Sequence, residues 1–224
     1  MANAQTPTYS GRSIITARLR SLGTEPKNIG WGIGTPTGSA NSDVNLFAPA
    51  TESRVAGTST MVSTSFLADT YQVVGSITCL GALKNITEAG LFDSVTNSPT
   101  SSLIAAVASA SATVFSLGAT IGPASGNFFA QLGNEVILVT GGQNTAVLTG
   151  VRAQLGSAAG ASYASGTPFT VGGDGGANAN AGLGGASAAW TAALGGSMFA
   201  HADFAGVSVN VNDSINFTFR DQFN

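Results

Sequence analysis

From Lys27 to the C-terminus no stretch of this 224-residue chain keeps apolar residues at helical spacing for a useful length; short apolar runs are broken by Gly, Pro, Asn or Ser instead. That punctuation predicts strands joined by tight turns. The last segment is the clearest. Residues 198–204 and 207–211 lead into Asn212-Asp213, a turn pair, and residues 215–219 alternate apolar with polar positions using aromatic and β-branched side chains. Residues 70–80 place Tyr71, Val73, Ile77 and Cys79 on one strand face, with residues 57–67 as an antiparallel neighbour and Ala68-Asp69 at the turn. Residues 28–34 alternate small residues with Ile, Trp and Ile, a strand that allows close backbone approach around Trp31. Residues 86–92 form another, with Glu88 near apolar neighbours.

Residues 111–171 carry a strand set of their own, at 112–117, 127–132, 135–139, 146–149 and 168–171, which predicts a compact all-β module. Beyond it, residues 172–196 are almost wholly Gly, Ala, Asn and Ser, with Trp190 alone among them. The N-terminus differs from the rest. Residues 1–10 read as an extended arm, followed by a short helix capped by Ser13, with Ile14, Ile15, Leu19 and Leu22 on one side and Gly23 as the stop.

Composition bounds the function. Charged residues make up only 8 % of the chain, against about a quarter in an average soluble domain, and the net charge is −3. A surface built from small neutral groups is poorly protected against association, the condition of a protein covered by neighbours in a shell or fibre. The few basic residues are scattered and form no stripe for a phosphate backbone, so nucleic acid is excluded as a partner. One cysteine, Cys79 in an apolar run, excludes an internal disulfide framework and a cysteine-based zinc site. The N-terminus lacks the basic start and apolar centre of a signal peptide, and no stretch is long and apolar enough to span a membrane as a helix.

No catalytic constellation stands out. A nucleophile-base pair would have to use His201, the sole histidine, which precedes Asp203 by two and shares its strand face; a half-exposed polar sheet face explains the pair more simply. The acids are too scattered to nominate a hydrolytic pair. The glycines at 30, 32 and 34 lack the preceding strand and following helix of a nucleotide-binding turn. Asp174, Asn178 and Asn180 offer oxygens in a glycine-rich loop but no closing bidentate Glu, so no metal and no cofactor is assigned.

Five stretches together resemble a known group: residues 23–35, 69–75, 86–93, 197–204 and 212–219, among them Gly-Trp-Gly-Ile-Gly, Ile-Thr-Glu-Ala-Gly-Leu-Phe-Asp and Met-Phe-Ala-His-Ala-Asp-Phe. They are similar, in order, to small structural proteins of tailed bacteriophage virions, variously described as capsid decoration or tail-fibre proteins. In that family the Leu-Phe-Asp strand turns directly into the Met-Phe-Ala strand. Here residues 94–196 intervene, as an insertion at a hairpin tip, where both ends are already close. The inserted part is itself similar to a small β-module common in phage structural proteins.

The expected fold is all-β. A sandwich or jelly-roll-like barrel forms from residues 27–98 and 195–224, with a second small β-barrel inserted in a hairpin over 99–172. A Gly/Ala-rich linker occupies 173–194, and an N-terminal arm and short helix occupy 1–26. The resemblance and the low charge together imply a non-enzymatic virion protein, made in the bacterial host cytoplasm. It would decorate the capsid surface as a homotrimer bridging subunits of the major capsid protein, with neither nucleic acid nor membrane as a partner. Arg12, Arg18, Arg20 and Trp190 are the expected partner contacts, and the arm is expected to reach a neighbour. The alternative is a tail-fibre or receptor-binding module for a host glycan.

Overall fold

The computed structural model describes residues 6–19, 23–35, 38, 40–172 and 195–223. Strands dominate, and the one α-helix is short. Fourteen strands run in chain order: β1 (Thr6–Pro7), β2 (Asn28–Gly32), β3 (Val55–Ala56), β4 (Thr58–Val62), β5 (Thr70–Thr78), β6 (Lys84–Phe92), β7 (Thr100–Ser102), β8 (Val114–Ser116), β9 (Phe128–Leu132), β10 (Glu135–Gly141), β11 (Val147–Val151), β12 (Pro168–Val171), β13 (Met198–Val209) and β14 (Ser214–Gln222). The helix α1 spans Tyr9–Leu19.

Two sheets make the sandwich, one ordered β1-β13-β6-β2-β3 and the other β14-β5-β4. Ile29, Trp31, Val73, Ile77, Cys79, Ile86, Leu91 and Phe219 fill the space between them. The alternation in β5 and β14 is therefore that of strands with one buried face, and the two pair residue for residue from Ser214↔Thr78 to Gln222↔Thr70. Ala68 sits at φ 55° in the connection between β4 and β5, as the expected turn requires. The chain changes sheets between β3 and β4 at Gly57, where a Cβ would lie 2.6 Å from Val73 Cγ1 and 2.8 Å from the Val74 carbonyl.

The inserted barrel stands between β6 and β13, themselves antiparallel neighbours with Met198 opposite Phe92. Its strands run β7-β12-β9-β10-β11-β8. The ends of that order meet: Leu103 bridges Leu117, and Ile104 N–H donates to the Ser116 carbonyl at 2.9 Å, closing the sheet on itself. Closure removes the exposed edges. Phe115, Phe128 and Phe169 are fully buried in its core, each contributing roughly 1.5–3 kcal/mol by area removed from water.

Three expectations need correction. The helix begins at Tyr9, with Thr8 rather than Ser13 as its cap: Thr8 Oγ1 accepts from the Gly11 N–H at 2.9 Å. Leu19 is 83 % exposed and leaves the apolar side to Ile14 and Ile15. The described part of the arm does not extend away from its own chain. β1 pairs with β13, Thr8 N–H donates to the Phe199 carbonyl, and α1 packs on β13, so this segment covers a sheet edge of its own sandwich.

Candidate functional site

The outer face of the first sheet carries a group of buried titratable side chains. On β2 and β6 the residues facing outward are Gly30, Gly32, Glu88, Gly90 and Phe92, and on β13 they are His201 and Asp203. Solvent does not reach them, because residues 40–50, with Gly34, fold back over this face. Leu46 packs on Phe92 and Met198, while Val44 packs on Phe129 and Val136 of the barrel. Asn45 Nδ2 donates to the Val171 carbonyl at 2.8 Å and Val44 N–H to Gln131 Oε1 at 3.0 Å. This crossing segment ties sandwich and barrel together.

Under it lies the candidate site. His201 is fully buried, with Nδ1 at 2.8 Å from Asp43 Oδ2, Nε2 at 3.1 Å from Glu88 Oε2 and at 3.4 Å from Asp203 Oδ1. The Phe47 ring stands edge-on to the imidazole at 5.0 Å. Glu88 also accepts the N–H groups of Gly34 at 3.1 Å, Phe47 at 2.8 Å and Ala48 at 2.8 Å. It thereby anchors the covering segment from below. The close approach expected of the 28–34 glycines serves this carboxylate, since a Cβ on Gly32 would lie 2.4 Å and one on Gly34 2.6 Å from Glu88 Oε1.

Charge in this pocket is unbalanced. Three carboxylates face one imidazole, and Asp43 Oδ1 and both oxygens of Asp203 make no hydrogen bond. Burial alone would push the imidazole pKa down, but its bonds to Asp43 and Glu88 win and raise it to about 9. Burial, with Glu88 and Asp43 nearby, raises that of Asp203, the imidazole and the Gly38 N–H offsetting only part. Glu88, His201 and Asp203 each bring one ligand atom within 4.8 Å of the others, the one grouping among the described residues with metal-ligand composition. The expected half-exposed polar face is thus overturned: His201 and Asp203 do share a strand face, but residues 40–50 bury it.

Two further buried sites are balanced. Glu135 accepts from Arg152 Nε at 2.8 Å and again from Nη2, from the N–H groups of Ala153 at 3.0 Å and Gly160 at 3.1 Å, and from the Tyr163 hydroxyl at 3.1 Å. Arg54, stacked 3.4 Å above the Phe92 ring, donates to the Ser94, Thr96 and Gly195 carbonyls and to Ser98 Oγ, joining the two connections that enter and leave the barrel. Burial pulls its pKa down to about 9, with Asp93 holding it up.

Two of the four expected contact residues lie among the described residues. Arg12 lies over the Tyr9 ring at 5.4 Å and Arg18 donates to the Gly23 carbonyl at 3.1 Å, both on α1 and exposed. Arg20, Trp190, Asp174, Asn178, Asn180 and the linker 173–194 lie outside the described residues. Trp31 and Cys79 are core residues, as their sequence neighbours predict. No helix of the described residues is long and apolar enough to cross a membrane.

Fold and site define an all-β protein with a closed barrel inserted in a sandwich hairpin and a buried histidine-carboxylate cluster beneath their junction. No protein-family model, no curated protein and no solved structure matches the chain.

Proposed function

We propose that the chain is a structural protein of a tailed-phage virion that decorates the capsid as a homo-oligomer, a trimer, bridging neighbouring subunits of the major capsid protein. The observation that carries this reading is where the charges go. Of the eleven acidic residues, Asp43, Glu52, Asp69, Glu88, Glu135 and Asp203 are buried, as are Arg54 and Arg152. An already charge-poor chain thus shows solvent an almost neutral surface. The outer face of the second sheet presents Thr60, Val74, Ser76, Thr78, Asn216 and Thr218, short side chains that lose little entropy on burial. β14 also ends that sheet with a nine-residue edge that pairs with nothing further among the described residues. Such an edge favours association with another chain. The reading assigns no catalytic residue. Its energy comes from many modest contacts repeated by symmetry. Counting the protein in purified virions tests it: hundreds of copies support decoration, and a handful would sink it.

One observation favours a tail-fibre reading instead. A cleft of about 690 Å³ lies between the crossing segment and the barrel, lined by Ile33, Phe47, Asn134, Tyr163 and Pro168 among others. Binding of host-surface glycans to the purified protein, lost in Asn134→Ala and with few copies per virion, would move the assignment there.

A further inference from the structure

The outer face of the first sheet holds a carboxylate that ordinary folding does not explain. Asp203 is 3 % exposed, neither of its oxygens makes a hydrogen bond of ordinary geometry, the Gly38 N–H being the smallest influence on it, and Oδ1 lies 3.4 Å from His201 Nε2. A buried carboxylate in that condition is costly unless a cation meets it. The histidine is oriented for such a cation. Asp43 Oδ2 lies 2.8 Å from Nδ1 and holds a proton on that nitrogen, so that once an ion displaces the Nε2 proton the Nε2 lone pair faces Glu88 and Asp203. A carboxylate behind the distal nitrogen is the usual support of a metal-ligating histidine.

We propose that Glu88, His201 and Asp203 form a binding site for one divalent transition-metal ion, held by His201 Nε2, Glu88 Oε2 and a carboxylate oxygen of Asp203, with Asp43 as a positioning residue. The spacing fits. With metal-ligand bonds of about 2.0–2.1 Å, adjacent ligand atoms of a tetrahedral site stand about 3.3 Å apart. The separations from Nε2 are 3.1 Å to Glu88 Oε2 and 3.4 Å to Asp203 Oδ1. A single Nε2 proton accounts for the shorter contact and leaves Asp203 without a partner. An ion accounts for both. One nitrogen and two carboxylate oxygens suit zinc or manganese; calcium, which takes six to eight oxygens, is a poor match. The ion would join β6 to β13 and, through Asp43 and the Glu88 backbone contacts, clamp residues 40–50 over the sheet. This inference does not depend on the virion reading.

The full-length protein is stripped with EDTA and titrated with Zn²⁺ and, separately, Mn²⁺ by calorimetry, with thermal unfolding followed in parallel. One ion per chain is expected. With free Zn²⁺ about a hundredfold above its Kd, the Tm should rise by roughly 5–10 °C. Asp203→Asn, nearly isosteric, should lose binding and the Tm rise together while keeping its circular dichroism spectrum. Asp43→Asn should weaken binding roughly ten- to a hundredfold. His201→Gln repeats the test if Asp203→Asn does not fold. Failure of both ions to bind, or binding and Tm rise unchanged in the folded variant, overturns the site.

Discussion

The barrel and the sandwich each bury ionised side chains, and they do so in opposite ways. In the barrel, Glu135 and Arg152 match charge for charge, and five donors converge on the carboxylate. In the sandwich, Asp43, Glu88 and Asp203 surround one histidine, and three carboxylate oxygens make no hydrogen bond. The first arrangement is what a structural strut requires, since each partner compensates the desolvation of the other. The second carries an excess of negative charge that a strut has no use for. Burial of charge therefore does not distinguish scaffold from site in this chain; the balance of charge and of hydrogen bonds does.

If that distinction is right, removing a charge should have opposite consequences in the two places. Arg152→Met leaves Glu135 buried and uncompensated, and should lower stability by about 3–5 kcal/mol, read from the urea midpoint at constant m. Asp203→Asn, in protein freed of metal, removes a buried charge that His201 offsets only in part and should raise stability by about 1–3 kcal/mol. Equal losses in both variants would break the comparison. Gly32→Ala probes the same pocket sterically. Its Cβ would lie 2.4 Å from Glu88 Oε1 and 2.7 Å from the Ala48 carbonyl, and the crowding should cost about 1–3 kcal/mol.

The sequence shows the strands and conceals the pocket, for a physical reason. Alternation in residues 70–78 and 214–222 reports one face buried against a core, and it marks those strands directly. The strand Thr100–Ser102 carries no apolar alternation and is held by its pairing with β12, so nothing local announces it. His201 and Asp203 show the two-residue spacing of one face, but whether that face is wet depends on residues 40–50, which lack regular structure over most of their length. Asp43 lies in that segment, over 150 positions from His201, with no periodic signal. Two features did point inward: Glu88 amid apolar residues on β6, and glycines at 30, 32 and 34 that make room for something.

pH reads the Glu135 strut through the acid limb of stability. Burial pushes the Glu135 carboxyl up, but Arg152 and the Gly160 and Ala153 N–H groups outweigh it and hold the pKa below the ordinary value. A carboxylate lowered in the folded state stabilises fully above its unfolded pKa of about 4.3, and that stability is lost as pH falls through the lower folded value. Unfolding midpoints measured from pH 7 down to pH 3 should therefore drop below about pH 4.3. Glu135→Gln should shallow that limb, whereas Asp203→Asn should leave Glu135's share of it in place.

The smallest change asks whether a satisfied carboxylate tolerates losing one neutral donor. Tyr163→Phe removes the hydroxyl 3.1 Å from Glu135 Oε2 and keeps the ring that lies beneath Arg152, its centroid 5.5 Å from the guanidinium carbon. Arg152 and two backbone N–H groups remain on the carboxylate, so the loss should be about 1 kcal/mol. In the Arg152→Met background the same hydroxyl becomes one of the few donors left to a buried charge, and the second loss should exceed the first. The double-mutant cycle reads that coupling directly. A hydroxyl worth as much in the intact pair as in the broken one would mean that Glu135 depends on its hydrogen bonds one by one rather than on charge balance. The contrast with the His201 pocket would then reduce to a count of donors.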